Sequence, residues 1–174
     1  MSAIIVYKSI YGATAQYAKW IAEDLRCEAI DIVNNPAAVL SKADVIIAGG
    51  SLYAGRITVA PWLRKHWAAC AGKPGVLFTV GGGSAGSVEE TRKLLSGNFP
   101  PAIVSTLKHF HFEGRLLFDK LHLFHRIITK MIMKMSKTAE AKKMLAEGGY
   151  DHVDRSRTTE LVQYVRSLAP DARK

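Results

Sequence analysis

Short apolar runs alternate along the chain with stretches whose apolar positions recur every three or four residues. Ala3, Ile4, Ile5 and Val6 form an unbroken apolar run, which predicts a strand over residues 3–8. Ala15, Ala18, Ile21, Ala22 and Leu25 then share one face of a helix predicted over 14–26. A weak strand over 28–33 and a short helical piece ending near Leu40 follow. Residues 43–48 carry the continuous apolar stretch Val45-Ile46-Ile47-Ala48, the mark of a strand covered on both faces. Pro61 suits the first turn of a helix that groups Trp62, Leu63 and Trp67. Residues 76–80 read as a fourth strand, and Ser87 stands three residues before Glu90, the capping-box spacing that opens a helix to about Leu95. A fifth strand fits 103–112 and a closing helix 158–168. Strand and helix alternating in this way predict an α/β fold, a doubly wound parallel sheet with helices on both faces. Residues 114–149 break the rhythm and read as an insertion before the last helix.

With 174 residues the chain has the size of one domain, and residues 1–174 are expected to bury a core without disulfides or a structural metal. Met1-Ser2-Ala3 leads straight into the first strand with no basic leader region, and no apolar run is long enough to span a bilayer. A cytoplasmic location is therefore expected. Cys27 and Cys70 stand far apart, in no metal-ligand or CxxC spacing, as free packing thiols of a reducing compartment do. Charge alters this plain picture, because the chain carries a net +9. Nine Lys or Arg residues against Glu113, Asp119 and Glu140 place six of those nine charges within residues 108–143. So local an excess points to an anionic surface or ligand.

Ligands of open α/β sheets bind at the carboxyl ends of the strands, so the loops after the first, third and fourth strands carry the candidate chemistry. The first is Ser9-Ile10-Tyr11-Gly12-Ala13-Thr14. Two hydroxyls, a glycine and a helix start without an acidic residue suit a phosphate. The loop lacks the Gly-Lys-Ser/Thr ending of a nucleotide triphosphate site. The second, Gly49-Gly50-Ser51-Leu52-Tyr53-Ala54-Gly55-Arg56, offers a tyrosine among small residues for stacking on a planar ring. The third, Gly81-Gly82-Gly83-Ser84-Ala85-Gly86, spells GxGxxG, but in the fourth βα unit and without the acidic partner that a dinucleotide site needs.

Ser9-x-x-Gly12-x-Thr14 after the first strand, with Ser51-Leu52-Tyr53-x-Gly55 after the third, resembles the flavodoxin-like FMN-binding proteins. The resemblance implies a five-stranded sheet in the order 2-1-3-4-5 and noncovalent FMN. It implies that Ser9, Gly12, Ala13 and Thr14 hold the phosphate through hydroxyl and N–H groups alone, with Ile10 and Tyr11 of the same loop also at the cofactor. Ser51, Leu52, Tyr53, Ala54 and Gly55, with Gly81, Gly82, Gly83 and Ser84, would frame the flavin ring. Tyr11 stands where the family pattern usually has Thr.

Within the insertion, Leu117, Leu121, Phe124, Ile128, Met131 and Met135 recur at helical spacing, and Arg126, Lys130 and Lys134 recur every four residues on another face. Such a helix suits an anionic membrane surface, a hydrophobic ligand, or packing on the domain with its basic face in water. The string Met131-Ile132-Met133-Lys134-Met135-Ser136 resembles the insertion of flavodoxin-like, menaquinone-dependent protoporphyrinogen IX dehydrogenases. That resemblance implies a porphyrinogen as electron donor, a membrane quinone as acceptor, and peripheral contact with the inner face of the membrane through Arg126, Lys130 and Lys134. A flavodoxin-type electron carrier, with a redox protein as partner, and a general flavin quinone reductase are the rivals, and a basic surface module without flavin is a third. The His109/His111 and His122/His125 pairs lack a third ligand for a metal and read as solvated or as facing substrate carboxylates. The aromatics are not interleaved with the basic residues, which argues against nucleic acid. No residue stands out as a catalytic acid or base.

Overall fold

The computed structural model describes residues 1–53, 55–82, 86–120 and 144–168, with single positions at 127, 131 and 138. The expectations placed on Ala54, Gly83, Ser84, Arg126, Lys130 and Lys134 lie outside these residues, as do His122 and His125.

Five strands form the central sheet, β1 (Ala3–Lys8), β2 (Glu28–Asp31), β3 (Val45–Tyr53), β5 (Gly75–Gly81) and β6 (Leu107–Glu113). They lie in the order β2-β1-β3-β5-β6, all parallel, and a two-residue strand β4 (Arg56–Ile57) pairs antiparallel with the end of β3. Leaving β4 aside, this is the expected 2-1-3-4-5 order.

Side chains alternate across the strands, so each strand feeds two cores. Ile5, Val45, Ile47, Val76 and Phe78 meet α1 (Ala13–Leu25) and α6 (Thr159–Ser167) through Tyr17, Ile21, Leu161 and Val165. Ile4, Val6, Ile46, Ala48 and Leu77 face the other way, toward Leu40, Leu63, Leu95 and Ile103. Those four come from α2 (Ala37–Leu40), α3 (Ala60–His66), α4 (Val88–Asn98) and α5 (Pro101–Val104). Ser87 caps α4 in a complete capping box with Glu90, as the spacing predicts.

Three expectations change. The third strand does not stop at Ala48 but runs on to Tyr53, because Gly49 and Gly50 are buried strand residues and not a loop. A Cβ on Gly49 would collide with the Phe78 ring, and one on Gly50 would press on Ile57 and Val59. Glycine here marks close packing. The fifth strand begins at Leu107, since Pro100 and Pro101 start the short helix α5 first. The insertion does not open with a helix. Its ends form a separate antiparallel pair, β7 (Arg115–Leu117) with β8 (Gly149–Asp151), so Leu117 belongs to a strand and Phe118 after it is buried.

Tyr17 ties this region to the sheet. Its buried phenol donates to the Glu113 carbonyl at 2.8 Å, at the end of β6, and accepts from the Asp154 N–H at 3.1 Å, where the chain returns from β8.

Candidate functional site

The carboxyl ends of β1, β3 and β5 and the β7/β8 pair enclose a cleft with about 580 Å³ of space, its open part included. Loop one enters α1 through Gly12, whose φ of +85° is the left-handed conformation that glycine adopts without strain. The Ser9 hydroxyl accepts from the Gly12 N–H at 3.1 Å and closes the turn. No side chain caps α1 and no acidic residue lies in its first turn, so its first N–H groups and the positive end of its dipole are left for an anion.

The loop is locked to the neighbouring strand by hydroxyls. Ser51 Oγ accepts from the Ile10 N–H at 3.2 Å and lies 2.8 Å from Thr14 Oγ1. The Ser51 N–H donates to Thr58 Oγ1 at 2.8 Å, and that hydroxyl donates to the Lys8 carbonyl at 3.0 Å. Thr14 is fully buried, so its hydroxyl braces loop one against β3.

Of the residues expected to hold FMN, the cleft brings together Ile10, Tyr11, Ala13 and Thr14 with Ser51, Leu52, Tyr53, Gly81 and Gly82. Ser9 and Gly12 shape the first loop from outside the lining, and Gly55 lies on a separate cavity beside Arg56 and Arg64. Burial, and secondarily the nearby Tyr53, pushes the Tyr11 phenol up from its ordinary value. Tyr53 lines the cleft and is 47% exposed, an aromatic side chain of the kind that stacks on a flat ligand.

One wall of the cleft comes from residues outside the three loops. Arg115 and Leu116 from β7, Tyr150 from β8 and Gly114 before them also line the cleft. Gly114 donates its N–H to the Gly81 carbonyl at 2.8 Å, extending the β6 pairing past its end and bringing β7 alongside the third loop. The Gly148-Gly149 pair, both at positive φ, was the signal in the sequence for a turn back toward the site. Burial, then the charge of Glu113, raises the Tyr150 phenol, which stays protonated and able to donate at neutral pH.

His109 and His111 are neither solvated nor facing the cleft as a substrate clamp. Both are partly buried on β6, with Thr79 Oγ1 between them, 2.9 Å from His109 Nε2 and 3.0 Å from His111 Nδ1.

A neutral donor set of N–H and hydroxyl groups at a helix N-terminus, continuous with apolar and aromatic walls, fits a phosphate monoester attached to a planar ring. No described helix is long and apolar enough to cross a membrane.

Comparison with curated protein sequences finds no significant match. Among solved structures, a flavodoxin from the domain Archaea is 21% identical, over 65% of this chain and 85% of its own, with a TM-score of 0.46. Flavodoxin 2 from Bacillus cereus is 18% identical over 65% and 84%, with a TM-score of 0.49. A WrbA-like flavodoxin from Agrobacterium tumefaciens is 24% identical over 56% and 68%, with a TM-score of 0.45. The family model of the flavodoxin domain matches residues 4–143, four fifths of the chain and the start of that further wall included. The chain therefore belongs to the flavodoxin domain family, and its cofactor is FMN.

Proposed function

We propose that this flavodoxin-family protein is an FMN-dependent oxidoreductase that oxidises protoporphyrinogen IX and passes the electrons to a membrane quinone. The observation that carries the reading is the character of the insertion. Ile127 and Met131, four residues apart in a segment whose sequence is basic, are 58% and 54% exposed, so two large apolar side chains face outward. Exposed apolar side chains within a basic sequence suit a lipid headgroup layer or a propionate-bearing macrocycle. The described ends of the same segment form a wall of the cleft.

FMN supplies the electron-accepting and electron-donating chemistry when bound. The protein's own part is position and exclusion of water. The first turn of α1 offers N–H groups to the phosphate. Ser51 and Thr14 fix that loop against β3. Leu52, Val80 and Leu116 make the ring's surroundings apolar, while Tyr11 and Tyr53 stand at the mouth.

Electron transfer between proteins is the second reading. What favours it is that no carboxylate or imidazole lines the cleft among the described residues, so no side chain there stands ready to take a proton from a substrate. The net charge of +9 opposes it for acidic-surface carriers that dock on basic partners.

The test is the visible spectrum of protein loaded with FMN and freed of excess, followed by anaerobic addition of protoporphyrinogen IX. Flavin retained and bleached, with porphyrin formed, is the expected result. Flavin retained but unbleached overturns the substrate and leaves the carrier.

A further inference from the structure

Every described residue lining the cleft is uncharged except Arg115. Its guanidinium is held by the small sheet of the insertion, where Arg115 pairs in register with Asp151. Arg115 Nε lies 3.2 Å from Asp151 Oδ2, at ion-pair distance, yet this buried nitrogen makes no hydrogen bond among the described residues. The two charges are unequally placed. The arginine side chain is 24% exposed and the aspartate 43%, so the carboxylate is better hydrated while the cation sits deeper against the cleft. The Val153 N–H donates to Asp151 Oδ1 at 3.1 Å and holds the carboxylate on its side of the pair.

Arg115 enters the cleft from the β6 side, two residues past Glu113, whereas the phosphate loop enters it from β1. The ends of β1 and β6 are three strand spacings apart in the order β1-β3-β5-β6, roughly 14 Å at the usual spacing. The uncapped N-terminus of α1 offers its positive end to an anion at the β1 side. With FMN's phosphate at the β1 side, a positive group entering from the β6 side would be nearer the flavin ring.

We propose that Arg115 is the charge that favours reduced FMN in this cleft, with Asp151 moderating it. The inference rests on the assignment of FMN to the cleft. Uptake of two electrons and one proton from a reductant adds one negative charge to the flavin ring. A fixed cation beside the ring stabilises that form more than the neutral oxidised ring, and so raises the reduction potential. The inserted β7/β8 sheet thereby adjusts the cofactor's electronics as well as framing the insertion.

The experiment is anaerobic reductive titration of the FMN-loaded full chain with dithionite against a reference dye, for wild type, Arg115→Gln, Arg115→Lys and Asp151→Asn. Dissociation constants for FMN and riboflavin are measured alongside. In Arg115→Gln the reduced cofactor is expected to bind about tenfold more weakly relative to the oxidised, a fall of about 30 mV in the two-electron potential. Arg115→Lys keeps most of the wild-type value. Asp151→Asn removes the moderating carboxylate and shifts the potential the opposite way, which keeps the test decisive if Arg115→Gln folds poorly. Potentials unchanged across the set overturn the proposal and leave Arg115 a structural tie. An Arg115→Gln protein that keeps its potential but loses FMN affinity, with riboflavin affinity intact, places the charge at the phosphate and equally overturns it. Failure of wild type to bind FMN at all would instead sink the assignment of the cleft.

Discussion

Thr79 has one hydroxyl proton to give and two imidazole nitrogens beside it. With both rings neutral, one ring donates to Thr79 Oγ1 and the other accepts from it, so His109 and His111 are satisfied as a set. Burial first, and then the neighbouring His111, pushes His109 down from 6.5 to about 4. Between those values the unfolded chain binds a proton at this residue and the folded chain does not. Stability contributed by the neutral site is therefore complete above about pH 6.5 and is lost as pH falls toward 4. Urea unfolding at stepped pH is expected to show a loss on the order of 3 kcal/mol from this group across that window. The slope should flatten in His109→Asn. An unchanged slope in that variant would place the acid sensitivity elsewhere. At this scale the sequence is legible where a residue acts through its near neighbours. Ser9, Gly12 and the Ser87/Glu90 box are readable because their partners lie three residues away or less. The Thr79 set is not, because its rings come from another strand, and the role of Gly49 is hidden for the same reason: only the Phe78 ring across the sheet shows why a side chain is forbidden there.

Among elements, the β7/β8 pair shows how far a local pattern can fall short. Two three-residue strands some thirty positions apart have too few residues to show a period, and their pairing depends on contacts that no local window contains. Yet they deliver Arg115, Leu116 and Tyr150 to the cleft. By contrast the central strands β1, β3 and β5 are evident from their apolar runs, since burial on both faces leaves that signature in any window. Gly149 is the residue on which the pair depends. Its φ is +126°, and a Cβ there would run into the Leu116 carbonyl, so Gly149→Ala cannot keep this register. The expected result is a loss of FMN affinity of tenfold or more, measured by quenching of flavin fluorescence, with the central sheet retained by circular dichroism. Gly97→Ala is the matching control, because nothing stands within 4 Å of its Cβ position in α4. That variant should gain up to about 1 kcal/mol of helix stability and bind FMN normally. Normal FMN binding by Gly149→Ala would show that the β7/β8 wall does not contribute to the site.

At the scale of the whole molecule, the charge is divided from the chemistry. The cleft carries one cation among its described lining residues, while six of the nine excess charges fall within residues 108–143. A protein that needed its charge only to hold FMN would concentrate it at the phosphate loop, and this loop has none. In the sequence the excess surrounds Ile127 and Met131, two exposed apolar side chains. Together they predict reversible attachment to anionic bilayers. Each Lys or Arg near such a surface contributes about 1 kcal/mol, and removal of three corresponds to roughly a hundredfold weaker binding. Replacing Arg126, Lys130 and Lys134 with Glu should therefore abolish cosedimentation with phosphatidylserine vesicles while leaving the FMN dissociation constant unchanged. Wild-type attachment should also weaken as salt rises, because the attraction is screened. Ile127→Ser with Met131→Ser should weaken attachment without altering its salt dependence, since these residues act by burial and not by charge. If the charge-reversed protein sediments with the vesicles as wild type does, the basic segment does not meet the bilayer, and transfer of electrons to a membrane acceptor loses its structural basis.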